Sequence, residues 1–366
     1  MSNVLDQFGV AVGELTAHSP TNYPDPVDGR VVHIDADFLA YQVSAESNEE
    51  LDPTDSTPRK SLEDMKHNAR TAVNYLMKLA GATDYVCHVT PTGSTKGGRD
   101  AQAIQQEYQA TRKARDNKPE HLDTIRAFIT KELNGCAHMD QEADDGMAQA
   151  AYNATDPNLV VIASKDKDLC MVPGLHLMQD TGRIINVENK FGYIEIDDSK
   201  SSKKLVGFGT KFFWAQLLMG DPADNIKGVP EVPGEVYLQH KPTTAFNKDL
   251  ETFKILLRKE NKTESEIKRF STVSDRLIAA KKKTKSCGPM MAFTLLDRCD
   301  SDVECFYLIK YIFNVVGKFG YKFVHWRTGE EVTPTQAMLA DMQLLWMRRN
   351  KNPNDVLDWL KERLNE

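Results

Sequence analysis

Arg30-Val31-Val32-His33-Ile34-Asp35 is a short β-branched run that ends in an acid, and its reading decides the fold. Tyr85-Val86-Cys87-His88-Val89, stopped by Thr90-Pro91, is a second apolar run. Both look like buried strands. Between them, Ser61 to Leu79 places Leu62, Met65, Ala69, Ala72, Val73, Leu76 and Leu79 at helical spacing. Strand, helix and strand in that order predict a parallel sheet, because parallel neighbours need a crossover that a helix supplies.

Outward from this unit, residues 1–29 mix polar, Pro and Gly residues without a period and read as an N-terminal arm. Residues 93–119 are polar and basic (Lys96, Arg99, Arg112, Lys113, Arg115, Lys118), with Tyr108 as their one large aromatic. Helices are expected from about Glu120 to Leu133 and from Glu142 to Asn153. A strand follows at Leu159–Ala163, with short strands near Leu175–Met178 and Ile184–Val187. Phe208 to Met219 reads as a buried helix stopped at Gly220. From Pro242 to Lys285 the chain becomes helical, polar and then basic, and four more helices are expected between Met290 and Leu364. The expected organisation is an arm over 1–29, an α/β core over 30–225 and a mainly α-helical region over 226–366.

With 366 residues the chain is long enough for about two domains. Its 40% hydrophobic and 27% charged residues are ordinary globular usage, which excludes global disorder. No apolar run approaches the roughly 20 residues that span a bilayer, and the first residues lack a signal-peptide pattern. The expectation is a protein neither membrane-spanning nor secreted. Six scattered cysteines with no C-x-x-C pair read as reduced, with no zinc site. The net charge of -7 argues against a uniformly basic nucleic-acid coat, but acids and bases are clumped in separate motifs.

Four acidic motifs sit at the ends of expected elements: Asp35 with Asp37; Glu142-Ala143-Asp144-Asp145; Asp166-Lys167-Asp168; and Gly220-Asp221-Pro222-Ala223-Asp224-Asn225. Each alone has a bland reading. Acids in a first helical turn favour the macrodipole, and Asp-Pro or Asp-Asn in a turn serves the backbone. Together they would repel one another on convergence, and bound cations would offset that repulsion. Hard oxygen donors without a Cys or His cluster select Mg2+ or Mn2+. Two such ions about 3.5–4 Å apart activate a water and stabilise the leaving oxygen of a phosphodiester.

In this order, and with Ile226-Lys227-Gly228-Val229-Pro230 after the last, the four motifs resemble the bacteriophage 5'→3' exonucleases, the flap endonuclease family also found as the N-terminal domain of bacterial DNA polymerase I. The resemblance spans roughly residues 30–300. It implies a PIN-like 5' nuclease core with a central mostly parallel sheet flanked by helices, and a C-terminal duplex-binding helix-turn-helix region. It implies two or three Mg2+ or Mn2+ ions held by Asp35, Glu142, Asp144, Asp145, Asp166, Asp168, Asp221 and Asp224, and K+ at the helix-turn-helix. It also implies a helical arch over about 93–119, in which Tyr108 and Arg112 match the family. Gln109 stands where the family has a Lys, and Lys113 or Arg115 would take over that lysine's phosphate. Tyr108 would stack on a base while the cations bind phosphates. Two further departures are Thr90, where the family has an Asp ligand, so that one metal site would be weaker or would borrow Asp37, and Gln216, where the family has a Lys. Gly288 would open the second half of the helix-turn-helix, separated from the first by an insertion over about 231–285, with Lys281, Lys282, Lys283 and Lys285 on the duplex phosphates.

The implied substrates are DNA with 5' ends, flaps or nicks, and RNA–DNA hybrids, cut by a monomer in phage DNA replication or recombination and in the host cytoplasm. Two other readings stay open: a non-catalytic nucleic-acid-binding relative, and a haloacid-dehalogenase-type phosphatase with Asp35 as nucleophile.

Overall fold

In the computed structural model, which describes residues 23–45, 60–113, 118–179, 181–199 and 201–365, the β-branched run becomes β1 (Val27–Asp35). The strand begins inside the segment read as an arm, where the Val27 N–H donates to the Gly81 carbonyl. Helix α1 (Ala36–Ser44) starts directly from it, capped by the Asp35 carboxylate. A capping box between Ser61 and Asp64 starts α2 (Leu62–Leu79), which buries the apolar stripe from Met65 to Leu79. β2 (Ala82–Val89) then runs parallel to β1, with Asp35 facing His88.

α3 (Leu122–Glu132), β3 (Gly135–Ala137), α4 (Ala143–Tyr152), β4 (Val160–Ala163), β5 (Gly174–Met178) and β6 (Arg183–Val187) complete a six-stranded sheet. Its order is β3-β2-β1-β4-β5-β6, parallel throughout except for the β5–β6 pair. The chain winds from β1 towards β3 on one side and then restarts at β4 on the other. At such a reversal the loops leaving the carboxyl ends of the strands part and leave a crevice. Ile34 faces Ala163 in the β1–β4 register, so Asp35 and the residues after β4 emerge together.

The chain divides into two compact units. The first comprises the described residues of Met1–Ala101, Lys113–Lys190 and Trp346–Val356, the second Gln102–Arg112, Phe191–Leu345 and Leu357–Glu366. By this division residues 191–225, expected in the α/β core, fall in the second unit, as does Gln102–Arg112. The reason lies in β7 (Tyr193–Asp197) and β8 (Lys204–Phe208), which pair only with each other and pack on α5 (Thr210–Met219) instead of joining the sheet.

The rest of the second unit is helical, as expected: α6 (Gly234–His240), α7 (Thr244–Arg258), α8 (Glu264–Lys282), α9 (Pro289–Leu296), α10 (Asp302–Lys318) and α11 (Pro334–Leu345). A short ribbon, β9 (Val232–Pro233) with β10 (Thr284–Lys285), closes the expected insertion at its base. The last helix is α12 (Asp355–Asn365). Among the described residues no helix is long and apolar enough to cross a membrane.

Candidate functional site

The crevice between β1 and β4 is built around Asp35. Its Oδ1 accepts from the Phe38 N–H at 3.1 Å and its Oδ2 from the Ser164 hydroxyl at 2.9 Å. Ser164, the first residue beyond β4, also accepts the Asp166 N–H at 2.9 Å. Asp166 in turn caps the short 3-10 turn Lys167–Met171, accepting the Asp168 N–H at 2.9 Å. One hydroxyl thus ties the first acidic motif to the third. In the sequence Ser164 carries no signal of its own; only its register opposite Asp35 distinguishes it.

α4 brings Asp144 to the same place. Burial raises the Asp144 pKa well above the ordinary carboxylate value, and Asp35, Asp166, Glu142 and Asp37 raise it further by repulsion. Burial, and then repulsion from Asp168, pushes Asp166 up to about 8. Asp35 rises to about 6 through burial and then its neighbour Asp37. Three carboxylates from three elements therefore lie within reach of one another's fields. Asp144 and Asp166 keep partial exposure, so solvent reaches the cluster. Asp168 is buried, with its Oδ1 taking the Lys167 ammonium at 2.9 Å. Among the described residues no three His, Cys, Asp or Glu side chains are arranged to hold an ion as they stand.

Asp145, expected as a ligand, has another role. Both its oxygens are taken by Arg99, at 2.7 and 2.8 Å, and the Arg348 N–H adds a bond at 3.1 Å. Burial would raise its pKa, but the charge and hydrogen bonds of Arg99, with the Arg348 charge and N–H, outweigh burial and hold it below the usual carboxylate range. Side chains one residue apart on a helix point about 100° apart, so Asp144 faces the crevice and Asp145 the interior. Arg99 also pairs with Glu142 at 3.1 Å and donates to the Trp346 carbonyl at 3.0 Å. By its place in the sequence Arg99 is one more cation of a basic loop, and nothing local marks it as the partner of α4.

Asp37 accepts the Thr90 N–H at 2.9 Å and pairs with Arg126 at 3.0 Å. The Thr90 hydroxyl accepts the Ala143 N–H at 2.8 Å, anchoring the start of α4 to the end of β2. At the position where the resemblance expects an acid, Thr90 thus docks the helix and holds Asp37 beside it.

Behind the crevice runs a row of imidazoles. His33 Nδ1 lies 2.9 Å from His88 Nε2, and His88 Nδ1 lies 2.9 Å from His138 Nε2. Burial lowers the His33 pKa to about 4. Burial, then repulsion from its two neighbours, lowers His88 to about 2. Burial also lowers His138. The row is neutral at pH 7. α4 fits against it because Gly146 has no side chain: a Cβ there would lie 2.3 Å from His138 Cε1.

The fourth motif lies in the second unit. It folds back on itself, with Asp221 and Ile226 exchanging backbone hydrogen bonds at 2.8 Å. Asn225 adopts φ 58°, and Gly220 and Gly228 pass so closely that a Cβ on Gly228 would lie 2.4 Å from the Gly220 nitrogen. Asp221 is buried and accepts the Ala223 N–H at 2.8 Å, as a turn acid does.

Asp224 binds the expected arch instead of standing open. It accepts from the Tyr108 hydroxyl at 3.3 Å and the Gln109 amide at 3.2 Å, and it pairs with Arg112 at 2.8 Å. Tyr108 is only 2% exposed, so its ring is not presented to a base as expected. An aromatic ring whose hydroxyl reaches a half-buried acid packs better inside than in water. Lys113 pairs with Asp100 at 2.9 Å, and Arg115 lies outside the described residues.

Gln216 is buried, which removes it from any surface contact. Gly288 is the N-cap of α9, and no atom would meet a Cβ on it within 4 Å. α9 packs on α6, which lies within the expected insertion over 231–285. Lys283 accepts the Gly234 N–H on its carbonyl at 2.6 Å, and the Lys285 ammonium lies 4.4 Å from the centre of the Tyr237 ring. Both lysines are exposed.

No family model and no curated protein matches this sequence. Among solved structures, the chain is similar to a bacteriophage T5 flap endonuclease in a pseudo-enzyme–product complex with DNA and metal ions. The TM-score is 0.36 and the identity 12%, over 79% of this chain and 99% of that one. It is also similar to the T5 5'-exonuclease with divalent zinc ions bound, at TM-score 0.38 and 12% identity, over 77% of this chain and 98% of that one.

Proposed function

We propose that this chain is a divalent-metal-dependent nuclease of the flap endonuclease type, hydrolysing phosphodiester bonds near the 5' ends of DNA. The observation that carries the reading is the convergence of Asp35, Asp144 and Asp166 at the reversal of the sheet, with all three pKa values raised. Active sites are where like charges are gathered against their own repulsion. The donor set is all carboxylate, which suits Mg2+ or Mn2+. Asp35, Asp144 and Asp166 would hold the cation, with Glu142 and Asp168 beside them. A bound divalent ion supplies Lewis acidity and a water of lowered pKa.

The chain's own residues set the geometry. Ser164 fixes the Asp35 carboxylate and the turn that carries Asp166. Thr90 fixes the helix start that carries Asp144. Arg99 holds Glu142 and Asp145 together beneath that start. Both 5'→3' exonuclease and flap endonuclease action on flaps and nicks, with removal of RNA primers during phage DNA replication or recombination by a monomer, belong to the same proposal and are supported by the order of the acidic motifs.

The test is cleavage of a 5'-labelled flap, a nicked duplex and an RNA–DNA hybrid, with Mg2+ and with chelator. Short labelled products that appear only with Mg2+ are expected. Phosphate release from small monoesters without nucleic-acid cleavage would replace this reading with the phosphatase, and binding without any hydrolysis would replace it with the non-catalytic relative.

A further inference from the structure

From Lys241 to Lys285 the chain holds 13 Lys and Arg against 6 Asp and Glu, a net +7. The whole molecule is -7, so everything outside this segment sums to -14. The positive charge is mounted on a two-helix arm with a small core of its own. Phe253 stacks on Phe270 with ring centroids 4.9 Å apart, and Leu256, Val273 and Leu277 are buried. At the base of the arm β9 pairs with β10, so the chain enters and leaves at one place.

Half of the acids are neutralised inside the arm. Asp249 pairs with Arg276 at 2.6 Å, Glu251 with Lys254 at 2.9 Å and Glu266 with Lys259 at 2.8 Å. Outside these pairs, Lys248, Arg258, Lys268 and Arg269 occupy exposed positions that no core requires. Cations gathered this densely repel one another, and a polyanion relieves that repulsion.

We propose that this arm is a nucleic-acid clamp that binds the backbone phosphates of duplex DNA without reading its sequence. The proposal extends the nuclease reading by adding a binding element outside the unit that carries the clustered acids. The arm's dimensions favour a duplex: a 19-residue helix such as α8 is about 28 Å long, close to one turn of B-form DNA. A lipid surface fits less well. The arm's exposed apolar side chains are scattered: Ile255 and Leu257 on α7 point about 200° apart, and Ile267 and Ile278 on α8 are separated by about 16 Å along the helix, so neither helix carries a continuous apolar face.

The experiment is fluorescence-anisotropy binding of the full-length protein to a duplex of about three helical turns, in chelator, across a KCl series. Each phosphate that is no longer neutralised lowers the salt slope by about 0.9, so Lys248→Ala/Arg258→Ala/Lys268→Ala/Arg269→Ala is expected to flatten it by about 2–4 units and weaken binding about 10-fold or more. A second variant, Glu260→Gln/Glu264→Gln/Asp275→Asn, adds positive charge and is expected to tighten binding, which keeps the proposal open to refutation where the first fails to fold. Unchanged slopes and affinities overturn it. So does unchanged DNA binding in the first variant with a loss of binding to anionic vesicles or to an acidic protein. Because no divalent ion is present, the readout is independent of hydrolysis: an arm that binds in a chain that cuts nothing refutes the nuclease alone, and a nuclease whose binding ignores these variants refutes the arm alone.

Discussion

Arg99 holds Asp145 through both carboxylate oxygens, at 2.7 and 2.8 Å, and the two side chains are 1% and 0% exposed. Of two adjacent acids at one helix start, one faces the crevice and the other is an internal anchor. Their substitutions should therefore differ in kind.

Arg99→Met and Asp145→Ala each strand a buried charge and are expected to lower stability by about 3–5 kcal/mol. In thermal unfolding this corresponds to a loss of roughly 6–20 °C for a unit of this size. Asp144→Asn, which relieves repulsion, should leave the melting temperature unchanged or raise it in chelator. Equal losses from Asp144→Asn and Asp145→Ala would show that both acids are structural.

The stability of the metal-free protein should fall as pH climbs from about 6.5 to about 8. There the buried histidines are neutral in both states, while the raised Asp166 and Asp144 make the folded chain hold protons that the unfolded chain has released. Between about pH 4 and 6.5 the buried His33, His88 and His138 refuse protons that the unfolded chain accepts, which raises stability with pH. Asp35, Asp144 and Asp166 lower it over the same range, so the two groups oppose each other and the profile is flatter. Asp166→Asn should flatten the fall towards pH 8 and let the histidines raise stability with pH between about 4 and 6.5. Denaturant titrations across this range check it, and a profile with no alkaline fall in chelator would contradict the convergence of the acids.

Tyr108 is a packing residue in this account. Removing its hydroxyl in Tyr108→Phe should cost about 0.5–1.5 kcal/mol, because its bond to Asp224 goes with it. Removing the ring in Tyr108→Ala should cost about 3–5 kcal/mol. If both variants unfold at the wild-type denaturant midpoint while DNA binding weakens, the ring is a stacking platform after all.

Gly146→Ala would push a methyl group into His138 and is expected to destabilise by about 1–3 kcal/mol. His138→Ala should recover part of that loss in the double variant. Strict additivity in the unfolding free energies would mean that the two sites do not touch.

Much of the α/β core is legible in the sequence because its elements carry strong local signals. The stripe from Met65 to Leu79 and the run ending in Asp35 leave little choice of period. α1 is not, since Ala36–Ser44 follows the strand with no intervening turn and its start depends on Asp35 as cap. β7 and β8 escape sequence reading because their alternation is short and mixed with Gly and charged residues. Among the acids, the motifs identify which residues matter but not which way each points. Asp145 and Asp224 are anchors because of Arg99, Tyr108 and Arg112, partners that lie 46 and more than 100 residues away in the chain.

Mn2+ titration followed by electron paramagnetic resonance reads out whether Asp35, Asp144 and Asp166 together form a divalent-cation site. The wild-type protein at neutral pH is expected to take up Mn2+ that Mg2+ displaces, with binding at least about tenfold weaker in Asp144→Asn and in Asp166→Asn, since each removes a charge that the ion compensates. Wild-type Mn2+ affinity in both variants, with each still folded, would contradict the account.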